Sequence, residues 1–151
     1  MAQPFVVQEY VRWSDVDAAG IIFYGSYVRL FELAEMELFR AAGLPFSLVF
    51  EKYDMYLPRV QVHTEFRYPV RLDDHLRVAA YVSRIGTKSI TMNFDVVHEA
   101  TGKLGAEGYL VLVCTSRKEL KSRPLPEDLI SRLAPYTLTV DEARRQLGIT
   151  A

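Results

Sequence analysis

Residues 13–43, WSDVDAAGIIFYGSYVRLFELAEMELFRAAG, constrain the fold more than any other stretch of the chain. The run begins as the end of a strand and passes through an Asp-x-Asp-x-x-Gly turn made by Asp15, Asp17 and Gly20. It then becomes an amphipathic helix. Tyr27, Leu30, Phe31, Ala34, Leu38 and Ala41 recur at steps of three and four, while Arg29, Glu32, Glu35 and Arg40 fall on other sides. Gly43 accepts a left-handed C′ conformation and Pro45 cannot continue the hydrogen-bond ladder, so the pattern predicts a helix over residues 22–42. At ~1.5 Å per residue this is a rod of roughly 30 Å, long enough to cross a small domain. The rest of the chain has to be arranged around it.

The flanking segments read as strands. Residues 5–13 carry apolar side chains on both alternating sets. Residues 55–68 are rich in β-branched and aromatic residues, with Pro58 favouring an edge or a bulge near the start. Further strands are predicted over residues 75–85, 89–98 and 104–115. The last has the apolar run Tyr109-Leu110-Val111-Leu112-Val113-Cys114, which predicts burial on both faces. Residues 45–54 read as a connector with one or two helical turns, residues 127–134 as a short helix, and residues 141–147 as a final turn or two. Strand, long helix, then four mainly antiparallel strands is an α+β order in which one sheet of about five strands wraps one helix. Such a sheet leaves an edge or a face to be hidden, and self-association hides it.

With 151 residues, half of them apolar or aromatic, the chain suits a single domain over residues 1–151 with one core. Eighteen basic residues against nineteen acidic ones, without a long like-charge block, argue against a nucleic-acid or membrane-surface binder. No apolar run reaches the ~18 residues of a membrane span, and the N-terminus has no basic leader. The sole cysteine, Cys114, cannot form an intramolecular disulfide, so a soluble protein of the reducing cytoplasm is expected. The three histidines are scattered along the chain, so no metal is expected.

The run from Asp15 through Asp17, Gly20, Phe23 and Tyr24 to Tyr27 and Glu32 closely resembles the motif of the hotdog-fold acyl-CoA thioesterases of the 4-hydroxybenzoyl-CoA thioesterase family. The resemblance extends over roughly residues 10–126 and takes in Tyr68-Pro69, Asp73-Asp74, Thr87-Lys88-Ser89 and Pro124-Leu125-Pro126. It implies a hotdog fold, hydrolysis of an acyl- or aroyl-CoA thioester, and no cofactor beyond the coenzyme A of the substrate. It also implies a homodimer, pairing into a homotetramer, with the acyl group between subunits. Asp17 aligns with the catalytic carboxylate, and the backbone N–H of Tyr24 with the donor that faces the thioester oxygen. Elementary chemistry agrees: the first N–H groups of a helix lack partners and carry the positive end of its dipole, so they stabilise an oxyanion. Asp17 then acts as nucleophile or as general base on water. Gly20 lets the backbone bend and the substrate approach. Lys88 and Ser89 match a bend that touches the nucleotide in related thioesterases, and Arg123 is a further cation for its phosphates.

Each residue also has a plainer reading. Asp15 and Asp17 suit turns and helix caps, and Asp15 is read as structural. Phe23, Tyr24 and Phe46 favour an aryl or medium-length acyl group, but are also ordinary core material. His63, on a strand beside Gln61 and Glu65, is a candidate for lining the acyl pocket or simply an exposed strand histidine. The rival functions are an enoyl-thioester hydratase or dehydratase on the same fold, which relies on a histidine near the helix, and a non-catalytic acyl-CoA or acyl-carrier binding module.

Overall fold

The computed structural model describes residues 1–149. Its central helix, α1, spans Ser26–Ala41. It begins at Ser26 rather than Ile22 because the preceding backbone groups are committed elsewhere. Val16 bridges Ile22, the Ile22 N–H donates to the Val70 carbonyl at 2.9 Å, and the Phe23 N–H donates to the Asp15 carbonyl at 2.8 Å. Amides tied up in this way cannot join the helical ladder.

Tyr27, Leu30, Phe31, Ala34 and Leu38 are buried, as their spacing predicts. Ala41 is exposed instead, and Phe39 is fully buried. The reason is a second helix, α2 (Phe46–Lys52), whose Phe46 ring meets Phe39 edge-on at 5.2 Å and shifts the buried face at that end. Glu35, assigned to the polar sides, is also buried. Arg59 answers it with one nitrogen 2.6 Å from both carboxylate oxygens.

The sheet contains β1 (Phe5–Tyr10), β3 (Arg59–Phe66), β4 (His75–Ile85), β5 (Ser89–His98) and β6 (Leu104–Val113). Its order is β1-β4-β5-β6-β3, antiparallel throughout. Against its concave face lies α1. Phe31 stacks on Phe94 of β5 at 4.6 Å, directly over Gly108 of β6, where a Cβ would come within 2.8 Å of the Phe31 ring. The missing side chain at position 108 therefore sets how closely helix and sheet approach.

The strand predicted over residues 55–68 is divided. Met55–Tyr56 forms β2, which pairs with β7 (Thr115–Ser116), and β3 starts after Pro58. Proline offers no N–H to the ladder, and a register shift between Arg59 and Gln61 marks the break. β3 is an edge strand, as Pro58 suggested. β1 ends at Tyr10, and Trp13–Asp15 forms a 3₁₀ turn. β6 ends at Val113 and alternates instead of being buried on both faces, with Tyr109, Val111 and Val113 only half-buried. Its outer face is incompletely covered. The last helix, α4 (Val140–Leu147), packs Ala143 against Tyr81, and its Arg144 reaches Asp95, which leaves the β3 side open. The remaining helix is α3 (Glu127–Leu133). None of the described helices is long and apolar enough to cross a membrane.

Candidate active site

The turn before α1 is anchored by charge. Arg29 on α1 places Nε 2.9 Å from Asp15 Oδ1 and Nη2 2.6 Å from Oδ2, a two-pronged grip on a carboxylate that is only 2 % exposed. Its remaining nitrogen lies 2.8 Å from Glu9 on β1. Burial alone pushes the Glu9 carboxyl up, but hydrogen bonds from Arg29, Arg12 and the Tyr10 N–H outweigh it and hold the group at about 2. Asp15 behaves the same way: burial raises it, and Arg29 with the Arg12 N–H brings it below its ordinary value. Asp15 is thus structural, tying strand, turn and helix into one unit. Arg29, which the helical periodicity assigns to a polar side, is the residue that organises the turn. The available signal was two acids, Glu9 and Asp15, within otherwise apolar or turn segments, together with a nearby arginine on the helix.

From this anchor the chain turns tightly through Asp17–Gly20. The Gly20 N–H donates to the Asp17 carbonyl at 3.0 Å, the Asp17 N–H donates to the Ile21 carbonyl at 3.1 Å, and Gly20 adopts φ +76°. Only glycine takes that conformation without strain. The Asp17 side chain is exposed. Its Oδ1 accepts the Ala19 N–H at 2.9 Å, and its Oδ2 has no hydrogen-bond partner among the described residues. Beyond the turn, the N–H of Tyr24 likewise has no acceptor among the described residues. Both residues line one cleft of about 400 Å³, with Ile21, Tyr27, Phe66 and Tyr68 completing much of the wall. The Tyr27 ring packs on Phe66 at 5.3 Å, and burial raises its phenol to about 12, so Tyr27 is a neutral wall.

Phe23 stands beside Tyr24, its ring centroid 4.9 Å away, and folds over Gly25, where a Cβ would come within 2.5 Å of the ring. It is not among the residues lining the cleft. The other residues suggested by the sequence lie elsewhere in this chain. His63 is on the outer face of β3, stacked on Tyr109 at 5.0 Å and 3.2 Å from Glu65. Phe66 on the same strand faces α1, so strand alternation turns His63 away from the cleft. No histidine is among the residues lining it. Lys88 and Ser89 lie at the far end of the sheet, where Ser89 pairs with Val113, while Phe66 pairs with Ala106. At ~3.3 Å per residue along β6, those ends are roughly 23 Å apart. The Arg123 guanidinium donates to the carbonyls of Tyr53 at 2.6 Å and of Asp54, closing the end of α2. Among the described residues there is no group of three or more His, Cys, Asp and Glu placed to hold a metal ion.

A long helix wrapped by a five-stranded antiparallel sheet, with an acidic turn at the helix start, is the hotdog fold of thioester-processing enzymes. The chain belongs to the thioesterase-like superfamily, whose profile matches residues 11–133. It is 26 % identical over 121 residues to the acyl-CoA thioester hydrolase YbgC of Escherichia coli, covering 80 % of this chain and 89 % of that one. A 1,4-dihydroxy-2-naphthoyl-CoA hydrolase from Nostoc punctiforme is 20 % identical, over 94 % of this chain and 95 % of its own. Among solved structures, a 1,4-dihydroxy-2-naphthoyl-CoA thioesterase from Synechocystis superposes with a TM-score of 0.80 at 20 % identity, covering 87 % of this chain and 96 % of that one.

Proposed function

We propose that this thioester hydrolase cleaves acyl- or aroyl-CoA thioesters in the Asp17–Tyr24 cleft. The observation that carries the reading is that Asp17, with an unpartnered carboxylate oxygen, and Tyr24, two residues before α1 and with an N–H that has no acceptor among the described residues, line one cleft. The Tyr24 N–H receives the thioester oxygen as it gains charge, at the positive end of the α1 dipole. Asp17 either removes a proton from the attacking water or attacks the carbonyl carbon itself. In both cases the C–S bond breaks, the coenzyme A thiolate leaves and takes up a proton, and water supplies the oxygen of the free acid. The names of the relatives, an acyl-CoA hydrolase and two naphthoyl-CoA hydrolases, support coenzyme A as the carrier and allow for an aromatic acyl group.

The reading extends to a homodimer, itself pairing into a homotetramer. β3 is an unpaired edge carrying exposed Val60, Val62 and Phe66. Antiparallel pairing of two such edges about a two-fold axis continues the sheet and closes the cleft at Phe66. It also draws the Lys88–Ser89 end of one protomer toward the cleft of the other. Cys114 is buried and free, which suits the reducing cytoplasm as the proposed location.

The test is thiol release from a panel of benzoyl-, hydroxybenzoyl-, phenylacetyl- and fatty acyl-CoAs by the parent and by Asp17→Asn. The variant should fold normally and keep KM within a few-fold, while kcat on the best substrate falls at least ~10²-fold. Turnover by Asp17→Asn within threefold of the parent would remove the assignment.

A further inference from the structure

Tyr27 is the second residue of α1 and only 3 % exposed, and its ring forms part of the wall of the Asp17 cleft. Burial is the one cause that raises its phenol to about 12, and no hydrogen bond contributes. The hydroxyl is thus a polar group inside the protein with no partner among the described residues. Nor is it walled in. The described side-chain atoms that are both sealed from solvent and unpartnered are Arg77 Nε, Thr115 Oγ1 and Arg144 Nε, and the Tyr27 oxygen is not among them. What surface it keeps opens on the cleft that its ring lines. A buried hydroxyl left unpaired destabilises a fold, and a ligand that enters the cleft can complete it. Helix geometry sets where the group leans. Tyr27 lies three residues after Tyr24, and its N–H donates to the Tyr24 carbonyl at 3.4 Å. Side chains tilt toward the N-terminal end of the helix that carries them, so the Tyr27 ring covers the turn that holds Tyr24. Other polar side chains of the cleft are engaged elsewhere: Arg67 lies 3.2 Å from both Glu65 and Glu107, and Tyr68 packs on His98 with Lys103 over its ring.

We propose that the Tyr27 hydroxyl is a second donor to the thioester oxygen, acting beside the Tyr24 N–H. The role rests on the thioesterase reading of the cleft. As the attacking oxygen adds to the carbonyl carbon, the π electrons of the carbonyl move onto its oxygen, and two hydrogen bonds hold that charge better than one. When the oxyanion collapses, the C–S bond breaks and the charge leaves with the sulfur, so the phenol donates without giving up its proton. A hydroxyl raised to about 12 keeps that proton through the neutral and mildly alkaline range. Because it makes no internal hydrogen bond, nothing has to break before it turns to the substrate, which is the preorganisation that makes such a donor effective.

Thiol release and thermal unfolding of Tyr27→Phe, measured beside the parent and D17N, test the assignment. The variant loses the hydroxyl and keeps the ring on Phe66. Its kcat on the best acyl-CoA should fall about 10²-fold while KM stays within about threefold. The melting temperature should stay within about 3 °C of the parent or rise, because no internal hydrogen bond is lost. The loss of kcat should be alike for benzoyl-CoA, for hydroxybenzoyl-CoA and for a benzoyl group carried on thiophenol. A kcat within about threefold of the parent overturns the proposal, and so does a larger fall in melting temperature, which would reveal a structural partner. Loss confined to hydroxybenzoyl-CoA would put the hydroxyl on the acyl substituent, and loss that vanishes with the thiophenol ester would put it on the departing sulfur; either result overturns it. D17N keeps the two assignments apart. A defective D17N beside a fully active Y27F defeats the second donor alone, whereas D17N turnover at the parent level removes the reading of the cleft and the donor with it.

Discussion

Replacing Arg29 with Met removes the cation that holds Glu9 and Asp15, yet keeps the aliphatic stem that packs beside the turn. Its effect follows from the two carboxylates. Glu9 is held at about 2 in the folded protein against the ordinary 4.5 of an unfolded chain, and at ~1.4 kcal/mol per unit this difference corresponds to roughly 3.5 kcal/mol. Arg12 and the Tyr10 N–H supply part of that, and Arg29 is itself about a third exposed, so water offsets some of the rest. Asp15, 2 % exposed and gripped by two nitrogens, adds its own share. Stranding both acids should therefore cost about 2–4 kcal/mol near neutral pH. For a chain of this length that is a drop of roughly 5–15 °C in Tm. The sign with pH is fixed. Both folded-state values are depressed, so the stabilisation is fully present above about 4.5 and is lost as pH falls toward 2. Burial raises Glu35 and Asp95, which favours the folded state at lower pH, but both proteins share those groups and they cancel in the difference. Urea unfolding at pH 7 and pH 3 should show a gap between parent and variant that narrows in acid. A loss under about 0.5 kcal/mol at pH 7, or a gap that stays constant with pH, would refute the reasoning.

Gly108→Ala places a methyl 2.7 Å from the His63 carbonyl and 2.8 Å from the Phe31 ring, and neither strand nor stacked ring has room to retreat. We expect a destabilisation of about 2–3 kcal/mol by urea titration, and a loss below 0.5 kcal/mol would show that helix and sheet separate freely. Val62→Lys puts a charge on the exposed helix-facing side of the β3 edge while leaving the monomer core untouched. Sedimentation should then report a smaller assembly than the parent, with thiol release reduced in parallel. An unchanged assembly would place the subunit contact elsewhere.

Local pattern reached far into this protein. The three- and four-residue spacing from Tyr27 to Leu38 defined the buried face of α1, because the residues at those steps, Tyr27, Leu30, Phe31, Ala34 and Leu38, all enter the one core. The strands over residues 75–85 and 89–98 were legible because a glycine bend and β-branched runs leave little choice. The acidic turn, Gly20 and the helix start were visible as a unit because they are contiguous, so local chemistry alone places them side by side. Where local pattern misled, the deciding partner was distant in sequence. Ile22 and Phe23 favour a helix until Val70 and Asp15 claim their amides, and Phe39 becomes core only because α2 folds back over it.

The charges show the same division more sharply. Sequence supplied Glu9, Asp15 and Arg29 as three polar residues, and only the packing of β1 beside α1 turns them into one buried cluster. Strand alternation could not say which face of β3 looks toward the helix. Tertiary structure decided that Phe66 enters the cleft and His63 does not, since a one-residue change of register exchanges the two faces. The kind of fold and the acidic turn before its long helix were thus written in short-range pattern. The residues lining the cleft beside that turn, Phe66 and Tyr68 among them, were set by contacts between chain segments tens of residues apart, which no local preference encodes.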